Sequence, residues 1–329
     1  MEVSLEVGFT NKIYNLKKNM KLLLYCHNNG IHHKIFMSLE RMCLSCGIDF
    51  EKTSALKRLK TFDYHFLISS NYFIHPKNFP KHIKIMYGPQ LFVVPEGKVV
   101  EKRIQKYASH CVLNCLSEWV KTYWFEFAND FVVPVAALPF SIETSKFKPT
   151  DTPKQYDCLV YFKRRHTDLL HFATEQLSHK GLSFNVLTYG SYDEEKYLDL
   201  LQKSKFLLSL DAHESQGYAL QEAMSCNVPL LVLDSTSMYD EVDNQNVSTY
   251  KKHKPKQLFA TSVPYWSEEC GIKITDHREL SGAIDYMMVN GLFFTPRNYV
   301  LNTLSDKVCM KRFLHYFNLQ PEVCWKKNI

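Results

Sequence analysis

No stretch of this chain is apolar for long enough to span a bilayer, which takes about 20 residues of helix. The first apolar run, Leu22-Leu23-Leu24-Tyr25, is too short for a secretory h-region, and Glu2 and Glu6 precede it. The expectation is a cytoplasmic protein. The terminal Lys326-Lys327-Asn328-Ile329 has a dilysine pattern, but such signals act on membrane proteins and here the match reads as coincidence. Internal repeats, low-complexity tracts and long linkers are all missing, which excludes repeat arrays. Metal-ligand spacings are missing too. Cys43 and Cys46 have C-x-x-C spacing without a second pair or a nearby His-x-x-x-His. No D-x-D follows a strand, so no metal cofactor is expected. The ten cysteines sit at irregular positions and read as reduced, mostly buried thiols. Charge of one sign is not abundant either. Forty basic against 34 acidic residues leave a net charge of +6, too little to indicate a nucleic-acid partner. That excess suits phosphate-bearing ligands and leaves peripheral contact with an anionic membrane surface open.

What is present is core material for more than one domain: 329 residues, 45% of them hydrophobic and 14% aromatic. Strands are expected at Met20–His27, Tyr64–Ser70, Ile83–Tyr87 and Cys111–Leu113, and helices over Ile31–Cys46 and Trp119–Phe127. The aromatic Trp119–Phe127 stretch reads as packing surface rather than a base-stacking platform. Turns are expected at Pro95–Lys98 and at Gly88-Pro89. Further along, strands at Asp157–Phe162 and Phe184–Thr188 alternate with helices at Asp168–His179 and Glu194–Lys203. Alternation at this spacing indicates parallel pairing and an α/β fold. Thr295-Pro296 opens a last helical segment, with proline at its first position.

The most informative segment is Glu214-Ser215-Gln216-Gly217-Tyr218 through Glu222 and on to Pro229. It joins two apolar runs, Phe206–Leu210 and Val228–Leu233, so it reads as strand, loop, helix, strand. Ligands of open α/β sheets bind at the carboxyl ends of the strands, where this loop lies. Ser215, Gln216 and Gly217 sit where the helix begins, a position whose amides attract phosphate. Gly217 also lets the backbone approach a bulky ligand. Glu222, as an ionised carboxylate, accepts hydrogen bonds only and suits the vicinal diol of a ribose; Glu214 suits the hydroxyls of a second sugar. The plain alternative is that Glu214 caps the helix and Glu222 is solvated. Gly217, Ala223, Met224 and Pro229, in register between two apolar strands, favour the functional reading.

Glu214 to Pro229 resembles the E-x7-E signature of retaining GT-B glycosyltransferases, the large fourth family, in a compact viral or bacterial form. A second match is Leu138-Pro139-Phe140-Ser141-Ile142-Glu143-Thr144-Ser145-Lys146-Phe147-Lys148-Pro149, similar to the family's junction motif. Ser141 stands where the family has glycine, and Glu143 where it has aspartate. The resemblance is clear over the C-terminal half and weak over the N-terminal half. It implies two Rossmann-like parallel-sheet domains facing across a cleft: an acceptor-side domain at 1–147, a donor-binding domain at 148–300, and a C-terminal helix at 301–329 returning to the first. The passage between domains is expected near Ser145–Asp151. Lys163, Arg164 and Arg165, at the end of a strand, coincide with the family's diphosphate clamp. In an extended segment Lys163 and Arg165 share a face, so that pair is the expected clamp. A solvated basic loop is the alternative. Tyr189-Gly190 resembles a strand-end glycine near the nucleobase, though a structural turn fits as well. Tyr265, Trp266 and Gly271 fall where the family has a glycine loop beside the nucleotide, though simple packing fits Tyr265 and Trp266 as well. Asn28, Asn29, Gly30 and Gly88 are further cleft candidates.

The resemblance implies a metal-independent transferase. It would move a hexose or pentose from a nucleotide-diphosphate-sugar to a glycan or other hydroxyl acceptor, with retention at the anomeric carbon. Three alternatives remain open: a nucleotide-sugar epimerase, an inverting transferase of the same fold, and a non-catalytic nucleotide-sugar-binding module. Product analysis without acceptor, the anomeric configuration of the product, and the absence of any turnover would separate them in that order.

Overall fold

A computed structural model of the protein describes residues 21–26, 33–70, 74–90, 110–127, 134–242 and 259–318. The expected loop Asn28-Asn29-Gly30 and the Pro95–Lys98 turn lie outside these residues. By internal contact the described residues form two compact units. One takes those within Met1–Leu116, Asp130–Ser141 and Asp306–Ile329; the other takes those within Ser117–Asn129 and Ile142–Ser305.

The first unit is built on a six-stranded parallel sheet. In chain order its elements are β1 (Lys21–Cys26), α1 (His33–Cys46), β2 (Asp49–Thr53), β3 (Phe66–Ser70), β4 (Lys84–Gln90), β5 (Cys111–Cys115) and β6 (Val135–Ala137). The strands lie in the order β2-β1-β3-β4-β5-β6. Leu22, Leu23, Leu24 and Tyr25 of β1 are all buried, as expected of a central strand covered on both faces. Two short strands, β2 and β6, escape the apolar-run reading; β2 is Asp-Phe-Glu-Lys-Thr, an edge strand with little to bury. Gly88 is a correction. It does not make a turn but lies inside β4, buried, at φ 143°, where the β4–β5 register shifts. A bulge of that kind takes a glycine readily. Cys43 faces the core, and burial pushes its thiol up to about 12.

The second unit holds a five-stranded parallel sheet. Its elements are α2 (Glu118–Phe127), β7 (Tyr156–Lys163), α3 (Thr167–His179), β8 (Phe184–Thr188), α4 (Glu194–Lys203), β9 (Ser204–Asp211), α5 (Tyr218–Ser225), β10 (Leu230–Leu233), β11 (Gly271–Ile274), α6 (Leu280–Asn290) and α7 (Pro296–Thr303). The strand order is β11-β10-β9-β7-β8. Val160, Phe162, Leu208, Leu210, Leu231 and Leu233 form one core with Ala173 and Leu177 of α3 and Ile284 and Met287 of α6. Local chemistry sets the helix starts. Asp193 caps α4 by accepting from the Lys196 amide at 2.7 Å, with Glu194 and Glu195 in the first turn and Lys203 in the last.

The C-terminal segment that Thr295-Pro296 opens is not one continuous helix. It breaks at Leu304 into α7 and α8 (Asp306–Asn318). The Leu304 carbonyl accepts from the Ile142 amide at 2.9 Å instead of continuing the ladder. Asp306 then opens α8, which belongs to the first unit and packs on α1 and on the face of β1 and β3, with Met310, Phe313 and Leu314 against Leu22, Phe66 and Ile68. Ser141, fully buried, donates or accepts at 2.8 Å with Ser38 and is bonded to the Asp306 carboxylate, while Arg41 lies 3.4 Å from Asp306. The hydroxyl of the serine that replaces glycine in the resembled motif thus acquires two partners, the Ser38 hydroxyl and the Asp306 carboxylate.

Candidate functional site

The topology of the second sheet marks one place for a ligand. From β7 the chain goes to β8 on one side, then crosses to β9 on the other, so the connections diverge at the carboxyl ends of β7 and β9. Open α/β sheets bind ligands at such a switch point. Here β7 ends on Lys163 and β9 on Asp211, paired in register.

Lys163 is 7% exposed, yet its ammonium is surrounded by charge. It forms an ion pair with Glu214, lies 3.8 Å from Asp211 Oδ2, and sits 4.5 Å from the centroid of the Tyr189 ring. Burial alone would push the ammonium down; Asp211 and Glu214 outweigh it and hold the lysine charged, above its ordinary value. Burial likewise works against Glu214 as an anion, and Lys163 reverses that, so Glu214 is held below the usual carboxylate range. Asp211 goes the other way. It is completely buried, and neither carboxyl oxygen has a hydrogen-bond partner of good geometry. Burial raises it far above the usual range, Lys163 offsets only part of this, and the Glu214 charge adds to the rise.

The loop after β9 is held from several sides. The Glu214 amide donates to Thr261 O at 3.0 Å, and its carbonyl accepts from Trp119 Nε1 at 3.0 Å. Thr261 and Ser262 are in turn lashed to Asp234 at the end of β10, which accepts from both hydroxyls and from the Ser262 amide at 2.7 Å. Gly217 caps α5 at φ 84°, a left-handed conformation that favours glycine, with Ser262 O 3.4 Å from where a Cβ would stand. The Gln216 side chain is not free for a ligand: it donates to Gln221 Oε1 at 3.0 Å, and Gln221 donates back to the Gln216 carbonyl at 2.5 Å. Ser215 and Tyr218 are half-buried beside it. Glu222 is 3% exposed on α5, so the solvated alternative does not hold for it.

The basic run is arranged differently from the extended segment expected. Arg164 has φ 53°, so side-chain alternation fails there. A non-glycine residue in this region is strained by about 1 kcal/mol or more. The conformation is held by the Val242 amide donating to the Arg164 carbonyl at 2.9 Å and by an Arg164–Glu241 ion pair at 3.2 Å. Lys163 and Arg165 nevertheless converge on one residue. Arg165 Nη1 donates to the Asp211 carbonyl at 3.2 Å, and the half-buried guanidinium is depressed by burial. Arg164 is exposed and lies 5.6 Å from the Tyr189 ring, which covers both cations. Gly190 forms the turn beyond it at φ 82°.

Two candidates fall away from this cluster. Gly271 opens β11, and a Cβ on it would stand 1.9 Å from the Leu230 carbonyl oxygen; its glycine answers to strand pairing rather than to a ligand. Trp266 lies near Lys273 at 5.9 Å, with Tyr265 half-buried alongside. Residues that sequence reasoning missed come in instead. His213, 6% exposed, bonds Glu241 at 2.8 Å and meets the Trp119 ring edge-on. Burial would raise Glu241, but the His213 bond and charge, with Arg164, keep it low. Asp211 had a visible signal, an acid closing an otherwise apolar strand; Trp119, Glu241, Asp234 and Thr261 had none.

Among the described residues, no helix is long and apolar enough to cross a membrane. No protein-family model matches the chain. No curated protein matches it by sequence. Solved structures do match in fold. A glycosyltransferase from Rickettsia africae superposes with a TM-score of 0.56 at 10% identity, over 91% of this chain and 98% of that one. Sucrose-phosphate synthase from Thermosynechococcus elongatus gives 0.53 at 10% identity, over 91% and 98%. HepE from Anabaena, in complex with UDP, gives 0.52 at 9% identity, over 92% and 100%. The chain has the GT-B fold, with a six-stranded and a five-stranded parallel sheet.

Proposed function

We propose that the protein is a metal-independent glycosyltransferase that moves a hexose or pentose from a nucleotide-diphosphate-sugar to a glycan or other hydroxyl acceptor, with retention. The observation that carries this reading is the buried Lys163–Glu214–Asp211 cluster at the switch point of the second sheet. An ammonium that its carboxylate neighbours hold charged there, with Arg165 beyond the same strand end, suits a diphosphate leaving group. The E-x7-E spacing supports a hydroxyl-binding role for Glu214 and a ribose-binding role for Glu222. The second unit would hold the donor and the first the acceptor.

In this reading the bond from the anomeric carbon to the diphosphate breaks, and its electron pair stays on the phosphate oxygen. Lys163, Arg165 and the start of α5 at Gly217 stabilise that charge. The acceptor oxygen bonds to the anomeric carbon on the face just vacated, and its proton passes to the departing diphosphate. No protein nucleophile is needed.

The test is a thermal-shift screen with UDP-, GDP- and ADP-sugars and the free diphosphates. A donor at a hundred times its Kd stabilises the folded state by about 2.7 kcal/mol, so it stands out from the panel. Flat melting curves with all of them would remove the basis for this reading. With the donor found, Glu222→Gln should weaken nucleotide binding, while Glu214→Gln should bind it and turn over on the order of a hundredfold more slowly. Transfer by the wild type should persist undiminished in excess EDTA; a loss restored by magnesium would refute the metal-independent mechanism.

A further inference from the structure

Two carboxyl groups, Asp211 and Glu214, face one buried ammonium. If both were ionised, the cluster would carry an excess negative charge in a place with little water, and it would repel an arriving phosphate. One proton shared by the pair removes that excess. Glu214, 17% exposed and in direct contact with Lys163, is the better anion; Asp211, with no exposure, is the better acid.

We propose that Asp211 is a positioning residue of the donor site that works as a neutral carboxylic acid, which keeps the cluster from carrying a net negative charge that would repel the donor diphosphate. This rests on the reading of the site as a nucleotide-sugar site. Asp211 is the last residue of β9, held in register against Lys163, so its place is set by the sheet rather than by a mobile loop. Among the described residues, the charged and titratable groups that interact with it are Lys163 and Tyr161 from β7, Arg165 from the loop beyond β7, and Glu214 from the loop after β9; His213 acts in turn on Glu214, and Asp240 and Asp234 on Arg165. Asp234 is already occupied by Thr261 and Ser262. The Tyr161 hydroxyl is pushed up by burial and then by the nearby carboxylates, so it stays neutral. Ionisation of Asp211 at high pH would return the second negative charge to Lys163, and diphosphate binding would weaken by up to about tenfold per pH unit.

The experiment compares wild type with Asp211→Asn and Asp211→Ala by two readouts. The first needs no ligand. A folded-state acid with a raised pKa keeps a proton that the unfolded chain releases above about pH 3.9. The stability it contributes is therefore lost as pH rises until Asp211 itself ionises. The melting temperature of the wild type should fall with rising pH relative to Asp211→Asn, whose amide cannot ionise. Parallel curves would show Asp211 ionised in the folded protein and overturn the proposal. The second readout is titration with UDP, GDP and ADP between pH 6 and 10. The nucleotide that binds should lose affinity for the wild type on the alkaline side and hold it for Asp211→Asn, while Asp211→Ala, which removes the group beside Lys163, binds weakly throughout. An alkaline loss that is the same in Asp211→Asn, or a folded Asp211→Asn that binds nothing the wild type binds, would also overturn it. Failure of all three nucleotides to bind the wild type at any pH counts against the nucleotide-sugar reading and, with it, the positioning role; a diverging pair of melting curves would still establish the neutral acid.

Discussion

Lys163→Met should slow transfer on the order of a hundredfold to a thousandfold while leaving a folded protein. The methionine fills the stem's space without the charge. Glu214 and Asp211 are then left facing each other with no cation between them. Breaking a buried ion pair costs roughly 3–5 kcal/mol when the remaining charge has no escape. Glu214 does have one, because it is partly exposed and can take a proton or turn outward, so the measured destabilisation should fall below that range. Lys163→Arg should not restore activity: the planar guanidinium needs more room than a compact ammonium, and Lys163 is almost fully enclosed between the Tyr189 ring and two carboxyl groups. Melting temperature and transfer rate on the same preparations separate the two effects. A folded Lys163→Met enzyme with wild-type turnover would show that the cluster is a structural ion pair.

Gly271→Ala should have the largest effect on stability, about 4 kcal/mol or more, enough to leave little soluble protein. The added methyl group would stand 1.9 Å from the carbonyl oxygen of Leu230, and that oxygen belongs to the adjacent strand. A flexible side chain could move aside; a backbone carbonyl in a parallel ladder cannot move without separating β10 from β11. The φ of 143° at this position adds strain for any L side chain. The denaturation midpoint and soluble yield test this directly. A ligand-side glycine would behave in the opposite way, with binding lost and the midpoint unchanged. That outcome would reinstate the sequence-based reading of Gly271 as part of a nucleotide loop.

From β7 to β10 the helices and strands of the second unit were legible because apolar stretches alternate with clear punctuation. Glu194–Lys203, for instance, opens on a capping aspartate and acidic first turn and ends on a lysine. The break at Leu304 was not legible, because nothing local stops a helix there; a bond from Ile142, distant in the chain, takes its carbonyl. β2 and β11 were hidden by the opposite problem. Edge strands bury little, so Asp49–Thr53 carries no apolar run, and Gly271–Ile274 is short and begins on a glycine.

The site divides along the same line. Glu214, Gly217 and Glu222 announce themselves through spacing, and Lys163 and Arg165 through their place at a strand end. By itself the chain determined an α/β protein with a charged loop at the carboxyl edge of a parallel sheet, since periodicity and punctuation are local properties. Only the tertiary structure decided which groups share a charge. Lys163 meets Asp211 because two strands far apart in sequence pair in register, and Arg164 turns left-handed because Glu241 and Val242 hold it from another loop. Electrostatics depends on distance and burial, and both are created when remote segments pack together.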